Sequence, residues 1–577
     1  MTIPDKSGRL NRFLDLVRKK FSFSRGGFFT SDPSWGSPAS AGTPDWPYVL
    51  GLTLTGAALF FYHLGAPGLM DPDEGRYAEI AREMLLLKDW VTPQLNFLPY
   101  LEKPPLVYWL TALSFQAFGL TEGAARLPAA ASALAGVLLL YFLGKTLWNP
   151  QTGFRSALIL ATSGGYVILG RLIILDMPLT LFLSLGIVLG YLAYIREQRP
   201  LLFWAYLALA LALLIKGPVA LMLAALVWGI WTLLDRRHPL TFWLHPLGLA
   251  ILALLALPWF VLMSMKYPGF LRFFLGEQHV GRYVAGSIHK NPFYYYVPVL
   301  FGLMLPWGWL LPWSLGRLRQ AGARGHRLFL LIWAGVILLF FTISGGKLAP
   351  YILPALPPLA LLLGEGLASL ADSEGRSPGF TISLLIWALS GTVLVAAYIW
   401  PPASLAPRLD KAALLQPYLL TYLVIFALAP SLAWLWRKPA WLFVGALLLG
   451  LLVSPGMERL GRTRSPREIG LTLRSQWRPG AALVGVRLYS QGLSFYARQP
   501  FHLWEFPTEL DFGRKLRPDC GFFFSTPAEM TAFAASRPMV FFFLKKQNYP
   551  GLKEGLPGKF EPLADWKDCI LAAYTGK

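Results

Sequence analysis

The chain has 577 residues, of which 55% are hydrophobic, 15% aromatic and only 14% charged; it is greasier than a soluble domain, and its apolar runs are long enough to cross a bilayer. Those runs lack the two-residue alternation of barrel strands, so the backbone must close its hydrogen bonds within helices, and the chain reads as an α-helical polytopic membrane protein. The formal charge of +21 suits nucleic acid, anionic lipid or cytoplasmic loops; no nucleic-acid module is visible, so membrane partners lead.

Residues 1–46 carry Arg9, Arg12, Arg18, Lys19, Lys20 and Arg25 without the apolar core of a signal peptide, and read as a basic cytoplasmic tail. Thirteen apolar segments follow, near 48–65, 125–148, 155–175, 177–195, 201–216, 217–234, 245–263, 293–315, 327–344, 349–369, 378–400, 416–436 and 439–454. The stretch LVYWLTALSFQAFGL, residues 106–120, falls short of the roughly 20 residues a span needs and reads as an interfacial helix in the first outer loop. With it left out of the count, Lys145 and Arg155, Arg196 and Arg199, Arg236 and Arg237, and Arg317 to Arg327 all lie on the cytoplasmic side. LLIKGPVALM is then a tight outer turn, because Gly217-Pro218 breaks an apolar run too long for one helix.

Residues 47–454 thus form a transmembrane domain. The arginines of GMERLGRTRSPRE, just after the last span, favour the inside under a strict reading of the charge rule. Long domains translocate largely regardless of charge, so residues 455–577 are placed outside. The β-rich runs ALVGVRLY, CGFFFS and MVFFFLKK, separated by helix-like stretches, give a small α/β domain. The two cysteines, Cys520 and Cys569, exclude a thiolate zinc site or a disulfide framework and leave room for one bridge.

In this topology the unusual ionisable groups share the outer side: Asp73, Glu74, Arg76, Glu102 and Lys103 in the first loop, then Asp176, Lys216, His279, Arg282 and Lys347. Such placement at the ends of many spans points to a common polar cavity. In MDPDEGRYAEIAREM, Asp71 is a candidate N-cap with Pro72 at the first helical position, while Asp73 and Glu74 either face the positive end of the helix dipole or serve catalysis. In YLEKPPLVYW a rigid Pro-Pro follows Glu102 and Lys103, which make either a surface ion pair or part of a phosphate site. Cations beside carboxylates suit an anionic, phosphate-bearing substrate. Asp176 is either a further N-cap or a group that orients the first loop. His279 is a hydrogen-bonding residue or a ligand, and no strong metal motif exists. Lys347, in SGGKLAPYILPALPPLAL, is an interfacial anchor or a phosphate contact, and Tyr77, Tyr100 and Tyr351 are aromatic-belt anchors or cavity residues.

The ordered set DPDEGRYAEIAREM, YLEKPPLVYW, RLIILDMP, LIKGP, EQHVGRY, SGGKLAPYILPALPPLA and YSQGLSFYARQPF resembles the bacterial aminoarabinose lipid A transferases, within the larger protein O-mannosyltransferase-like group. The resemblance runs from about residue 48 to the C-terminal domain and leaves the basic extension outside it. It implies a GT-C membrane glycosyltransferase of the bacterial inner membrane that takes a sugar from undecaprenyl phosphate on the periplasmic face and needs no nucleotide. It implies that Asp73 stands at the family's acidic catalytic position, Glu102 and His279 as associated with a divalent metal (zinc or magnesium), and Lys103 as a donor-phosphate contact. Arg76, Lys216, Arg282 and Lys347 match further phosphate-facing positions, and Glu74, Tyr77, Tyr100, Asp176 and Tyr351 match the cavity wall. Lipid A or another lipid is the implied acceptor. The alternatives are a related transferase using another sugar or a protein acceptor and, in a different class, a lipid transporter or flippase.

Overall fold

The computed structural model describes residues 44–284, 290–317, 324–371, 377–401, 415–504 and 509–576; residues 1–43, with the basic residues of the expected cytoplasmic tail, lie outside them. Among the described residues eight helices are long and apolar enough to cross a membrane: Glu122–Leu147, Asp176–Ile195, Pro246–Lys266, Gly325–Ile343, Ala349–Leu370, Pro378–Ile399, Gln416–Leu435 and Ala440–Arg464. A bent pair, Phe293–Leu303 and Trp307–Gly316, meeting at 109°, is as apolar and makes either a broken span or a re-entrant loop.

Of the thirteen expected spans, eight or nine thus meet that length and composition among the described residues. Every one of the thirteen segments is helical, but three of them, in Trp46–Phe61, Leu201–Lys216 and Val219–Asp235, are shorter apolar helices. At about 1.5 Å per residue, 16 residues rise only about 24 Å, less than the hydrocarbon thickness of about 30 Å. The segment expected at 155–175 breaks into Pro150–Thr162 and Gly164–Gly170, because Ser163 takes an extended conformation between them. Leu106–Phe118 is a short helix, as its length required.

The last long helix also differs from expectation. It runs on to Arg464, so that GMERLGRTR forms its final turns and no loop intervenes at 454. Beyond it lies an α/β unit built on a six-stranded mixed sheet. The strands are β3 (Ala482–Val486), β4 (Phe501–Trp504), β5 (Phe523–Phe524), β6 (Val540–Lys545), β7 (Gly558–Trp566) and β8 (Cys569–Gly576), in the order β5-β4-β3-β6-β8-β7. Two short strands, β1 (Gln94–Leu95) and β2 (Leu98–Pro99), form a hairpin in the first loop. β3 pairs in parallel with β4 and β6, while the β7-β8 hairpin closes the sheet antiparallel. The centre of the sheet is buried on both faces, which is why VFFFLK in β6 shows no alternation. Cys520 and Cys569 are free thiols, so no bridge joins them.

Polar contacts sort the loops into two ends. At one end Trp148 stacks edge-on with His326, which is bonded to Tyr191 at 2.7 Å, and Arg237 pairs with Asp235. At the other end the first loop packs directly on the α/β unit: Asn96 exchanges two hydrogen bonds with Phe501 of β4, and the Tyr496 hydroxyl accepts from the Leu69 amide at 2.7 Å.

Candidate active site

The helix Asp73–Leu87 carries the first charged group. Its side chains separate by position: Asp73 is 61% exposed, whereas Glu74 is 3% exposed and turned into the protein. Glu74 therefore does not line the cavity as expected. Its two oxygens take Arg126 Nε at 2.8 Å and Nη2 at 2.7 Å, together with the amides of Met70 and Ile173. Arg126 in turn donates to the carbonyls of Leu64, Pro67 and Gly68. This buried pair fixes the start of the helix Asp73–Leu87 against both a long span and the loop that leads to Asp176.

Asp71 does not cap the helix. The residue preceding the helix is Pro72, with no side-chain cap, and the Asp71 carboxylate reaches instead into the α/β unit, where it accepts from the Gly492 amide at 2.7 Å and from the Ser490 hydroxyl. The glycines of DEGRY and SQGLS follow from this contact. A Cβ on Gly75 would lie 2.4 Å from the Gly492 nitrogen, so neither backbone leaves room for a side chain.

Burial pushes the Asp71 carboxyl up to about 6 against the opposing pull of Ser490 and Gly492. The folded state then holds a proton between the ordinary carboxylate value of 3.8 and about 6 that the unfolded chain has released, and burying the ionised form becomes unfavourable above 6. Asp71→Asn removes that charge. Its melting temperature relative to wild type, measured by scanning fluorimetry in detergent, is therefore expected to rise as pH is raised from 5 to 8; a pH-independent difference would contradict the burial of the charge.

Arg76, one turn beyond Asp73, bonds to it at 3.2 Å and pairs with Glu509 of the α/β unit at 2.8 Å. Gln491 donates to the same Glu509 carboxylate. Tyr77 and Tyr100 are 9% and 2% exposed, which rules out an aromatic-belt role for both. Burial, followed by the charge of Asp73, pushes the Tyr77 phenol upward; Asp176 and Glu102 act on it in the same direction and Arg76 against them. The first loop and the loop that leads to Asp176 meet directly, since the Ile173 amide donates to Glu74 at 3.1 Å.

Glu102 accepts from Arg282 at 3.0 Å across 180 residues of sequence. Burial pushes the Lys103 ammonium down to about 8; Arg282 and Lys216 reinforce this, while Glu102 and Asp176 oppose it. Asp176 opens its helix without capping it and holds Lys216 at 2.5 Å. The Lys216 ammonium also lies 4.4 Å above the Tyr351 ring, a cation–π contact that orients it. Gly217 closes this helix at φ +78°, and a Cβ there would meet His279 Nε2 at 2.5 Å, so the turn at LIKGP admits only glycine.

His279 and Lys347 stand differently from the rest. Both ring nitrogens of His279 face backbone carbonyls, Nδ1 that of Phe274 at 2.6 Å and Nε2 that of Lys216 at 3.2 Å, and burial pushes the imidazole down. Glu102 is engaged by Arg282, and among the described residues no group of three His, Cys, Asp or Glu comes together to hold a metal. Glu102 and His279, the pair that the resemblance associates with a metal, are thus each held by other groups of the chain in this structure. The Lys347 ammonium folds back onto the Ser344 carbonyl at 2.6 Å and is 6% exposed, so it is no open phosphate contact. Its turn nevertheless belongs to this end of the molecule, since the Gly345 amide donates to Tyr283, next to Arg282.

Sequence reasoning missed three residues of this neighbourhood. Arg126 had a signal, being a charge within an apolar helix. Glu509 and the fully buried Tyr108, whose charged neighbours include Arg76, Glu102 and Glu509, had none.

With this geometry in place, the comparisons are specific. Residues 102–261 match the dolichyl-phosphate-mannose-protein mannosyltransferase family model, and residues 469–562 match the aminoarabinose transferase C-terminal domain model. The chain is 33% identical over 431 residues to undecaprenyl phosphate-alpha-4-amino-4-deoxy-L-arabinose arabinosyl transferase 2 of Pseudomonas fluorescens, covering 72% of this chain and 76% of that one. It is 33% identical over 417 residues to the corresponding transferase of Erwinia tasmaniensis, covering 70% and 72%. The crystal structure of ArnT from Cupriavidus metallidurans bound to undecaprenyl phosphate superposes with a TM-score of 0.81 at 27% identity, over 91% of this chain and 98% of that one. The GT-C fold, the membrane helices and the terminal α/β unit thus agree with both sequence and structure, and the chain belongs to the undecaprenyl phosphate-aminoarabinose arabinosyl transferase family, membrane glycosyltransferases that draw on a lipid-linked sugar.

Proposed function

We propose that the chain transfers 4-amino-4-deoxy-L-arabinose from undecaprenyl phosphate to a phosphate of lipid A, with its active site on the periplasmic face of the bacterial inner membrane. The observation that carries this reading is the meeting of Asp73, Arg76, Glu102, Lys103, Asp176, Lys216 and Arg282, drawn from four separate loops, at the end of the bundle covered by the α/β unit.

Lys103, Lys216 and Arg282 provide cationic groups for the donor phosphate. As the bond between the anomeric carbon and the carrier's phosphate oxygen breaks, its electron pair stays on that oxygen, and these cations stabilise the growing charge. An oxygen of the acceptor phosphate attacks the opposite face of the sugar, giving inversion. That oxygen is already anionic, so Asp73 removes no proton from it. The exposed Asp73 carboxylate instead faces the positive charge that develops on the sugar ring, steadied by Arg76 and, through Arg76, by Glu509. Asp176 and Glu102 hold Lys216 and Arg282 in place.

Lys103 gives this reading a pH signature. Its folded-state value of about 8 means the ammonium is present below that pH and lost above it. Donor kcat/KM, which reports the free enzyme, is therefore expected to fall as pH rises through 8, and Lys103→Arg is expected to move the fall to higher pH; a profile flat from 7 to 9.5 would contradict a charged contact. Mass spectrometry of lipids from cells with and without the chain tests the reaction itself. Aminoarabinose on lipid A only in cells carrying it supports the reading, and the same sugar confined to protein or to another lipid overturns it.

A further inference from the structure

The arginines of GMERLGRTRSPRE take no part in the site described above, although they border it. The Arg464 carbonyl accepts from the Asp71 amide at 3.3 Å, two residues before Asp73. The connecting Ser465-Pro466 packs against Gly68 and Gly492. The helix Arg467–Gln476 starts immediately afterwards and buries Ile469, Gly470 and Leu473. Arg467, Leu471 and Arg474 are exposed. Spaced four and seven residues from the first, they fall within a stripe about 60° wide on one helix face.

This face is cationic, apolar, then cationic, and it is under-neutralised. Arg467 pairs with Glu122 at 3.2 Å while 45% exposed. The charge of Arg474 acts on the like charge of Arg498, and among the described residues neither Arg464 nor Arg474 has an acidic partner. The helix begins directly after the last long helix, on the same side of the protein as Asp73. Insertion does not account for arginines at that end, where the charge rule disfavours them; guanidinium groups bracketing an exposed leucine do match phosphates carried above acyl chains.

We propose that Arg464, Arg467, Leu471 and Arg474 form a docking surface for the phosphates of the anionic acceptor lipid, holding it in the outer leaflet beside the loop that carries Asp73. This rests on the reading of a phosphorylated lipid acceptor given above. The surface acts on encounter and retention of the acceptor, and not on the chemical step.

The test uses the full chain in zwitterionic phosphatidylcholine nanodiscs, with lipid-linked donor and diphosphorylated lipid A. Arg464→Gln/Arg467→Gln/Arg474→Gln is expected to raise the acceptor KM by about tenfold, with kcat and donor KM unchanged and the salt dependence of the acceptor KM flattened. The triple Arg→Lys variant, which keeps the charge, should recover most of the affinity and guards against a folding defect. An acceptor KM within twofold of wild type overturns the proposal, as does a rise seen only when phosphatidylglycerol is present, which would mark a general leaflet anchor. A photo-crosslinker placed at Leu471 should capture radiolabelled lipid A without donor, less so in the triple Gln variant. Transfer that proceeds without such capture overturns the docking surface alone, whereas capture without any transfer to lipid A counts against the acceptor assignment.

Discussion

Asp73→Asn is expected to lower kcat about 10³-fold while leaving expression, melting temperature and donor KM close to wild type. The direction follows from exposure. Asp73 is the acidic residue of the helix Asp73–Leu87 that opens to solvent, and its charged contact among the described residues, Arg76, keeps a second partner in Glu509. Removing the charge therefore leaves no buried group unpaired, and the loss falls on the sugar in the transition state, where positive charge develops. Single-turnover kinetics in detergent with purified variant and lipid-linked donor provides the check. A variant retaining a tenth of wild-type activity would mean that Asp73 is not the carboxylate the reaction uses.

Much of this was legible in the sequence. The motifs that carry Asp73, Glu102 and Lys103, Asp176, Lys216, and Arg282 all lie where a polar group interrupts or borders an apolar run, and such groups are expensive in a membrane unless they meet one another. What remained hidden depended on direction rather than position. Asp73 and Glu74 are adjacent, yet helical geometry turns one to solvent and the other to Arg126; only the fold decides which. Asp71 reads as a cap because its sequence fits one, but tertiary contact with Ser490 and Gly492 overrides that local preference. Lys347 and His279 stand in suitable motifs, yet their polar atoms are turned to backbone carbonyls. Apolar runs also located the helical segments, but composition does not reveal a break such as Ser163 or a 109° bend within them.

Arg126→Met is expected to produce the largest stability loss of any single substitution at this end, about 3–5 kcal/mol. The guanidinium is fully buried and donates to three carbonyls besides Glu74, so its removal strands a buried carboxylate and leaves those carbonyls without their donor. The defect should appear as a lower melting temperature in detergent and as faster proteolysis of the first loop. Pairing it with Glu74→Gln should recover part of the loss, because the stranded charge is gone. If the double variant is less stable than Arg126→Met by the full effect of Glu74→Gln alone, the two groups do not act as a pair.

The account stands most directly on one reconstitution: purified chain in liposomes, undecaprenyl phosphate carrying radiolabelled aminoarabinose, and lipid A as the sole added acceptor. The label is expected to move into lipid A with stoichiometric release of undecaprenyl phosphate, and to remain on the donor when Asp73→Asn replaces the wild type. Donor left intact by the wild-type chain, or label recovered in protein while lipid A stays unlabelled, would contradict the account.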